Sequence, residues 1–204
     1  MKLVTFLGAV LIVQALNSAL AANPFLDAPD DQPISATFRG TEWNDKFDEE
    51  DEQIRLTATV VTKRIATMPW GAIFQISFEN LKSRAPEKRE ISPDYFIITD
   101  DRIVLINEDK IDEAVQKIAA LETPPTFDPW LVYGITQGRF SHEEGLWTTT
   151  IELKGDLCVY EAAHPSGHFK KIVWKKGVGL IEYSEGYGAG ADGFRLKRVA
   201  SKKS

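Results

Sequence analysis

Apolar side chains fall on alternate positions through much of this chain, and a period of two commits it to half-buried β-strands. Ile54, Leu56, Ala58 and Val60 alternate with Arg55, Thr57 and Thr59; Ala72, Phe74, Ile76 and Phe78 alternate with Gln75, Ser77 and Glu79. Between them Met68-Pro69-Trp70-Gly71 reads as a turn. Tyr95–Thr99 and Arg102–Ile106 flank Asp100-Asp101 as a tight hairpin. Further strands are expected at Trp130–Thr136, Leu146–Lys154, Leu157–Ala163, Phe169–Trp174, Val178–Tyr183 and Phe194–Val199, with turn chemistry at Gly155-Asp156, Pro165-Ser166-Gly167 and Lys176-Gly177. Asn80 to Ile91 is charged and reads as an exposed loop.

One segment has the helical period instead. Ile111, Val115, Ile118 and Leu121 form an apolar stripe, which predicts an amphipathic helix over about 108–122. Asn107 is suited to cap it, Glu108 and Asp109 suit its positive end, and Thr123-Pro124-Pro125 stops it. These elements predict an α+β fold that is mainly antiparallel β: a curled sheet or open β-barrel with the helix on one mouth or face.

The chain opens with a different signature. Lys2 supplies a short positive region, Leu3 to Val13 is almost wholly apolar, and Ala19 and Ala21 form an A-x-A site before Ala22. The apolar run is shorter than the roughly 20 residues a membrane helix needs, and no second run of spanning length follows. We therefore expect a signal peptide over 1–21 and a soluble product in the periplasm or outside the cell. An extended acidic segment is expected over 22–53, a single β-rich domain over 54–200, and a basic tail over 201–204.

Charge is uneven. The 204 residues carry −6 overall, residues 22–62 hold ten acids and three bases, and residues 164–204 hold nine bases and three acids. A solvated surface accounts for such runs, and a polar partner surface is the sharper reading. The negative total argues against nucleic acid as a partner. Cys158 is the sole cysteine, so no internal disulfide forms. Its neighbours Leu157 and Val159 favour a buried, inert thiol over a reactive one.

Motifs for chemistry are sparse. Gly188, Gly190 and Gly193 match G-x-G-x-x-G, but the following Phe194-Arg-Leu-Lys-Arg-Val alternates like a strand, whereas phosphate binding needs a helix there. His164 and His168 bracket Pro165-Ser166-Gly167, which breaks the helix a metal pair would use; a tight turn still offers the two rings to one ion, with Glu161 as a third ligand. His142, Glu143 and Glu144 read as another loop. The acidic run Asp48 to Glu52 lacks calcium-loop spacing. No nucleophile elbow, H-E-x-x-H helix or phosphate loop occurs. No cofactor, metal or catalytic residue is assigned on these grounds.

Aromatic side chains are the remaining clue: Trp43, Trp70, Trp130, Trp147 and Trp174, with Tyr133, Tyr160, Tyr183 and Tyr187. They serve either as core packing or as rings lining a ligand surface. Trp147 is in phase with Thr149, Ile151 and Leu153 and is expected on their buried face, whereas Trp174, in phase with Ile172 and Lys170, is expected to be exposed. The candidate ligand face is Trp174, Tyr183 and Tyr187 with Lys175 and Lys176.

Residues 146–199 carry Trp147, Gly155-Asp156 and Tyr160, then Trp174-Lys-Lys-Gly177-Val-Gly179-Leu180-Ile181, then Phe194-Arg-Leu196. This quarter of the chain resembles the closing strands of small bacterial exported β-rich domains of unassigned function, often lipoproteins, in which a G-x-G-L strand follows an aromatic one. The resemblance implies a β-rich exported domain and brings no activity; the chain departs from it in having no lipid-attachment cysteine. The expected function is an exported binding or accessory protein, non-enzymatic, holding a glycan or lipid on an aromatic sheet surface or meeting an envelope protein. The alternatives are a cell-envelope hydrolase using carboxylates or a His-metal site, and a protein-interaction or inhibitor module.

Overall fold

The computed structural model describes residues 23–26, 32–44, 54–85, 89–100, 102–106, 110–125, 133–134, 139–188 and 191–200. Twelve strands, β1 (Ile34–Asn44), β2 (Ile54–Met68), β3 (Gly71–Ser83), β4 (Asp94–Ile98), β5 (Arg102–Ile106), β6 (Tyr133–Gly134), β7 (Arg139–Glu144), β8 (Trp147–Lys154), β9 (Leu157–Ala163), β10 (Phe169–Lys175), β11 (Gly179–Tyr187) and β12 (Asp192–Arg198), form one sheet. Its order is β6-β5-β4-β3-β2-β1-β12-β11-β10-β9-β8-β7, and every pairing is antiparallel. Among the described strands, only the β1–β12 pair joins strands that are not chain neighbours, so two meanders are stitched along that line. The edges β6 and β7 are separated by residues 135–138 alone, which keeps them within about 17 Å of each other. Such a sheet must curl into a half-barrel.

Side chains meet across the curl. Phe96 on β4 packs edge-on against Trp174 on β10 at 5.5 Å, and Phe78 on β3 meets Tyr183 on β11 at 4.7 Å. The concave core comprises the alternate residues of both meanders, among them Phe38, Leu56, Ile76, Ile172, Phe194 and Leu196. The other phase of β3 to β5 (Ile73, Ile97, Val104, Ile106) faces outward and is covered by helix α1 (Ile111–Ala119) through Ile111, Val115 and Ile118. Tight turns follow from local chemistry: Lys154 pairs with Leu157 across a two-residue loop whose first member, Gly155, has φ 63°, the conformation a type II′ hairpin demands.

Several expectations need correction. Residues 34–44 are not a lead-in to a domain starting at Ile54: they form the central strand β1, between β2 and β12. Acidic residues and prolines around it hide its alternation of Ile34, Ala36 and Phe38 in the sequence. Strand β3 runs past Phe78 to Ser83 through Asn80 at φ 51°, so the segment read as a loop begins later. His142, Glu143 and Glu144 belong to strand β7, whose polar edge position leaves no period to read. The helix is shorter than expected: Lys110 stands at its N-cap without a side-chain capping bond, and the Trp70 indole N–H donates to the Leu121 carbonyl at 3.0 Å, beyond its C-terminal end. Asn107 to Asp109, Trp130, the acidic run Asp48 to Glu52, residues 1–21 and residues 201–204 lie outside the described residues.

Candidate functional site

The two ends of the curl differ. At one end, Asn23 to Leu26 tuck against the sheet: Phe25 is fully buried, the Asn23 Nδ2 donates to the Thr99 carbonyl at 2.9 Å, and the Gly177 N–H donates to the Pro24 carbonyl at 2.9 Å. This links the β4–β5 turn to the β10–β11 turn and seals that end.

The other end is open and polar. Residues directly paired across antiparallel strands share a face, as do residues two apart on one strand. From the register, Ile172, Tyr183 and Leu196 form one concave row; the next row outward is Lys170, Glu185 and Phe194; the outermost is His168, Tyr187 and Asp192. His164 and Trp147 continue that outermost row beyond the Thr148–Ala163 pair. Walking outward along the concave face thus leads from apolar core, through charge, to an aromatic rim.

The charged row is tightly satisfied. The Lys170 ammonium lies 2.8 Å from Asp94 and 2.7 Å from Glu185. The Tyr183 hydroxyl lies 2.6 Å from Asp94 Oδ2 and 2.8 Å from Glu185 Oε1 and shares its one proton between them, and the Tyr187 phenol donates to Glu185 Oε2 at 2.9 Å. Asp94 comes from β4 and Glu185 from β11, so this cluster ties the two walls of the curl together. Beside it, Arg89 donates to Glu42 Oε2 at 2.8 Å, contacts Asp192, and lays its guanidinium over Phe194 at 5.4 Å; Ser83 also bonds Glu42. Burial alone would lower the Lys170 pKa, but the adjacent Asp94 and Glu185 carboxylates more than reverse it. Arg89 is held charged in the same way, burial being outweighed by Asp192 and Glu42. Burial, then the carboxylates, pushes the Tyr183 phenol well up and that of Tyr187 up to about 12.

On the rim, Trp147 is 42% exposed and Tyr187 46% exposed. Trp147 stands 5.2 Å from the His164 ring, and His168 stands 5.9 Å from Tyr187. Behind the rim, on the convex face, Phe169 and Trp43 stack at 6.5 Å over Gly186 and Gly193. A Cβ on Gly186 would sit 2.1 Å from the Phe169 ring, so only glycine leaves room for it.

The expected ligand face is split by this geometry. Trp174 and Tyr183 are both fully buried: Trp174 fills the core beside Cys158 and Phe96 rather than meeting solvent. Trp147 has the phase expected of it, sharing the face of Ile151, yet lies at the strand end beyond the core and is exposed. Lys175 pairs with Asp156, and Lys176 lies over Phe25 at the sealed end, a β10 length from Tyr187. Of the five residues only Tyr187 is on the rim. Cys158 is buried, and burial pushes its thiol up to about 12, as an inert core cysteine requires. The Gly188–Gly193 motif runs into strand β12, and no helix starts there. His164 and His168 are brought together by their turn, but Glu161 points to the opposite face, where it pairs with Lys171. No group of three or more metal-ligating side chains occurs among the described residues.

Sequence reasoning missed Asp94, Lys170, Glu185, Arg89, Glu42 and Asp192. A signal did exist for two of them, since Lys170 and Glu185 interrupt the inward phase of otherwise apolar strands. Their partners across the curl carried none. No family model matches the sequence, and no curated protein matches it.

Proposed function

We propose that this chain is an exported, non-enzymatic binding protein that takes a saccharide at the rim formed by Trp147, His164, His168 and Tyr187. The observation that carries the reading is the pair of half-exposed rings, Trp147 and Tyr187, in one concave-face row directly above a cluster of carboxylates and cations. Flat rings stack on the apolar faces of sugars, while Asp192 and the imidazoles offer hydrogen bonds to hydroxyls. A lipid is the weaker candidate, because the concave interior that an acyl chain would enter is filled by Trp174, Tyr183, Phe96 and Phe194. Export rests on the Lys2 to Ala21 pattern, and the burial of Asn23 and Phe25 just beyond it is in keeping with that boundary.

One observation favours the hydrolase alternative: Asp94 and Glu185 face each other from opposite walls. A glycosidase pair needs the space between its carboxylates for substrate or water. Here that space holds the Tyr183 hydroxyl and the Lys170 ammonium, so the pair acts as a lock between walls.

The test is tryptophan fluorescence of the purified protein against panels of oligosaccharides and of lipid vesicles, repeated with Trp147→Ala. A saturable response to a saccharide, lost in the variant, is expected. No saccharide response, or one that Trp147→Ala leaves intact, overturns the reading.

A further inference from the structure

The turn between β9 and β10 has a second property, independent of any saccharide. His164 N–H donates to the His168 carbonyl at 2.9 Å and Gly167 N–H to the His164 carbonyl at 2.9 Å, closing a three-residue loop with Gly167 at φ 87°. The loop brings both imidazoles to one point. His164 Nδ1 and His168 Nδ1 each lie 2.6 Å from the same Ser166 Oγ. Their ring centroids are 6.2 Å apart.

The protons at this point can be placed. Ser166 N–H donates to His164 Nδ1 at 3.1 Å, so that nitrogen is unprotonated. In that tautomer the Ser166 hydroxyl shares the His164 Nδ1 lone pair with the backbone N–H, and His168 Nδ1–H donates to the hydroxyl oxygen. The site holds one unprotonated imidazole nitrogen, a second that becomes a lone pair once the His168 proton moves to Nε2, and a hydroxyl between them.

We propose that His164, His168 and Ser166 form a binding site for a divalent first-row transition ion, held by the two Nδ1 atoms with the hydroxyl as a weak third donor. The hydroxyl oxygen occupies the convergence point at 2.6 Å, about half an ångström longer than a metal–imidazole bond. An ion enters there when the Ser166 side chain turns aside and both rings close in by that amount. Two neutral nitrogens with one oxygen and open water positions suit Cu(II) above Ni(II) and Zn(II), following the usual affinity order, and do not suit Mg(II) or Ca(II). The ion would lie at the rim beside Trp147, in reach of solvent.

The experiment is titration of CuCl2 into untagged protein, followed by calorimetry and by tryptophan fluorescence, with no saccharide present. One saturable site is expected, with partial quenching, since the His164 ring is 5.2 Å from Trp147. His164→Ala and His168→Ala each remove the site, with the fold checked by circular dichroism. Trp147→Phe keeps the calorimetric binding and loses most of the quenching. Unchanged one-site binding in the double histidine variant, or quenching that Trp147→Phe leaves intact, overturns the proposal. Saccharide binding is measured separately in EDTA, so the failure of either reading leaves the other standing.

Discussion

The sealed end of the half-barrel and its open mouth hold the same two walls together by opposite means. At the sealed end Trp174, Cys158, Phe96 and Phe25 join them through apolar contact, with the Asn23 side chain and the Pro24 carbonyl bridging the turns. At the mouth the walls are joined by Lys170 between Asp94 and Glu185, and by Arg89 between Glu42 and Asp192. Apolar contact favours closure in proportion to area and asks for complementary shape but no directed bonds. A buried charge cluster stabilises little overall, yet removing one member strands the rest. The two ends therefore accept different substitutions: the sealed end accepts those that conserve volume, and the mouth those that keep each charge paired in place.

The largest effect should come from the sealed end. Trp174 is fully buried, so Trp174→Ala removes a large ring and leaves a cavity; a loss of about 3 to 5 kcal/mol is expected in urea unfolding. Trp174→Phe should recover much of that, and more so because the Trp174 indole N–H has no partner to lose. A loss under about 1 kcal/mol for the alanine variant would mean the walls are not joined there.

Next comes the mouth. Lys170→Met leaves Asp94 and Glu185 facing each other without a cation, and should cost about 3 kcal/mol, the low end for a buried pair because a quarter of the lysine side chain reaches solvent. Adding Asp94→Asn and Glu185→Gln to that variant should restore part of the loss. If the triple variant is less stable than the single one, the carboxylates stabilise by something other than their pairing with Lys170.

Much of this contrast was hidden in the sequence, for a physical reason. Alternation is a local signal: it placed β4, β5, β8, β9 and β10 close to where they lie, found the first half of β2, and put Trp147 on its true face. It says nothing about depth along the barrel axis. Trp174 and Trp147 have the same face and opposite fates because one stands amid the rows of the core and the other beyond the last. The charge cluster joins residues 76 and 89 positions apart, and such pairs leave no mark in one sequence beyond a charged residue on an inward phase. Strand β1 was overlooked because its neighbours are prolines and acids, although its Phe38 is fully buried.

Alkaline pH separates the two ends by titration. Cys158 at the sealed end, and Lys170, Tyr183 and Tyr187 at the mouth, all keep their protons more tightly folded than unfolded. The unfolded chain therefore releases protons first, and folding stability is full below about pH 9 and falls as pH rises through the folded values. Cys158→Ala should remove the earliest part of that decline, since its ordinary value is 9.0. Tyr187→Phe should trim the part above pH 10, by less, because the side chain is nearly half exposed. Urea midpoints measured from pH 8 to 11 check both. A midpoint that rises over that range would reverse the assigned sign.

The smallest effect on stability is expected at the rim. Trp147 is in contact with His164 and His168 but stands outside the core cluster, so Trp147→Ala should change unfolding by no more than about 0.5 kcal/mol. The same substitution is expected to abolish the saccharide response. That disproportion, a large functional loss at negligible structural cost, is what distinguishes a ring kept for a ligand from one kept for packing. Trp174→Phe provides the opposite case, with a change in stability and an unaltered saccharide response. Were Trp147→Ala to destabilise the protein by about 2 kcal/mol or more, the rim would belong with the sealed end as a structural element, and the exposure of Trp147 would no longer be a reason to expect sugar there.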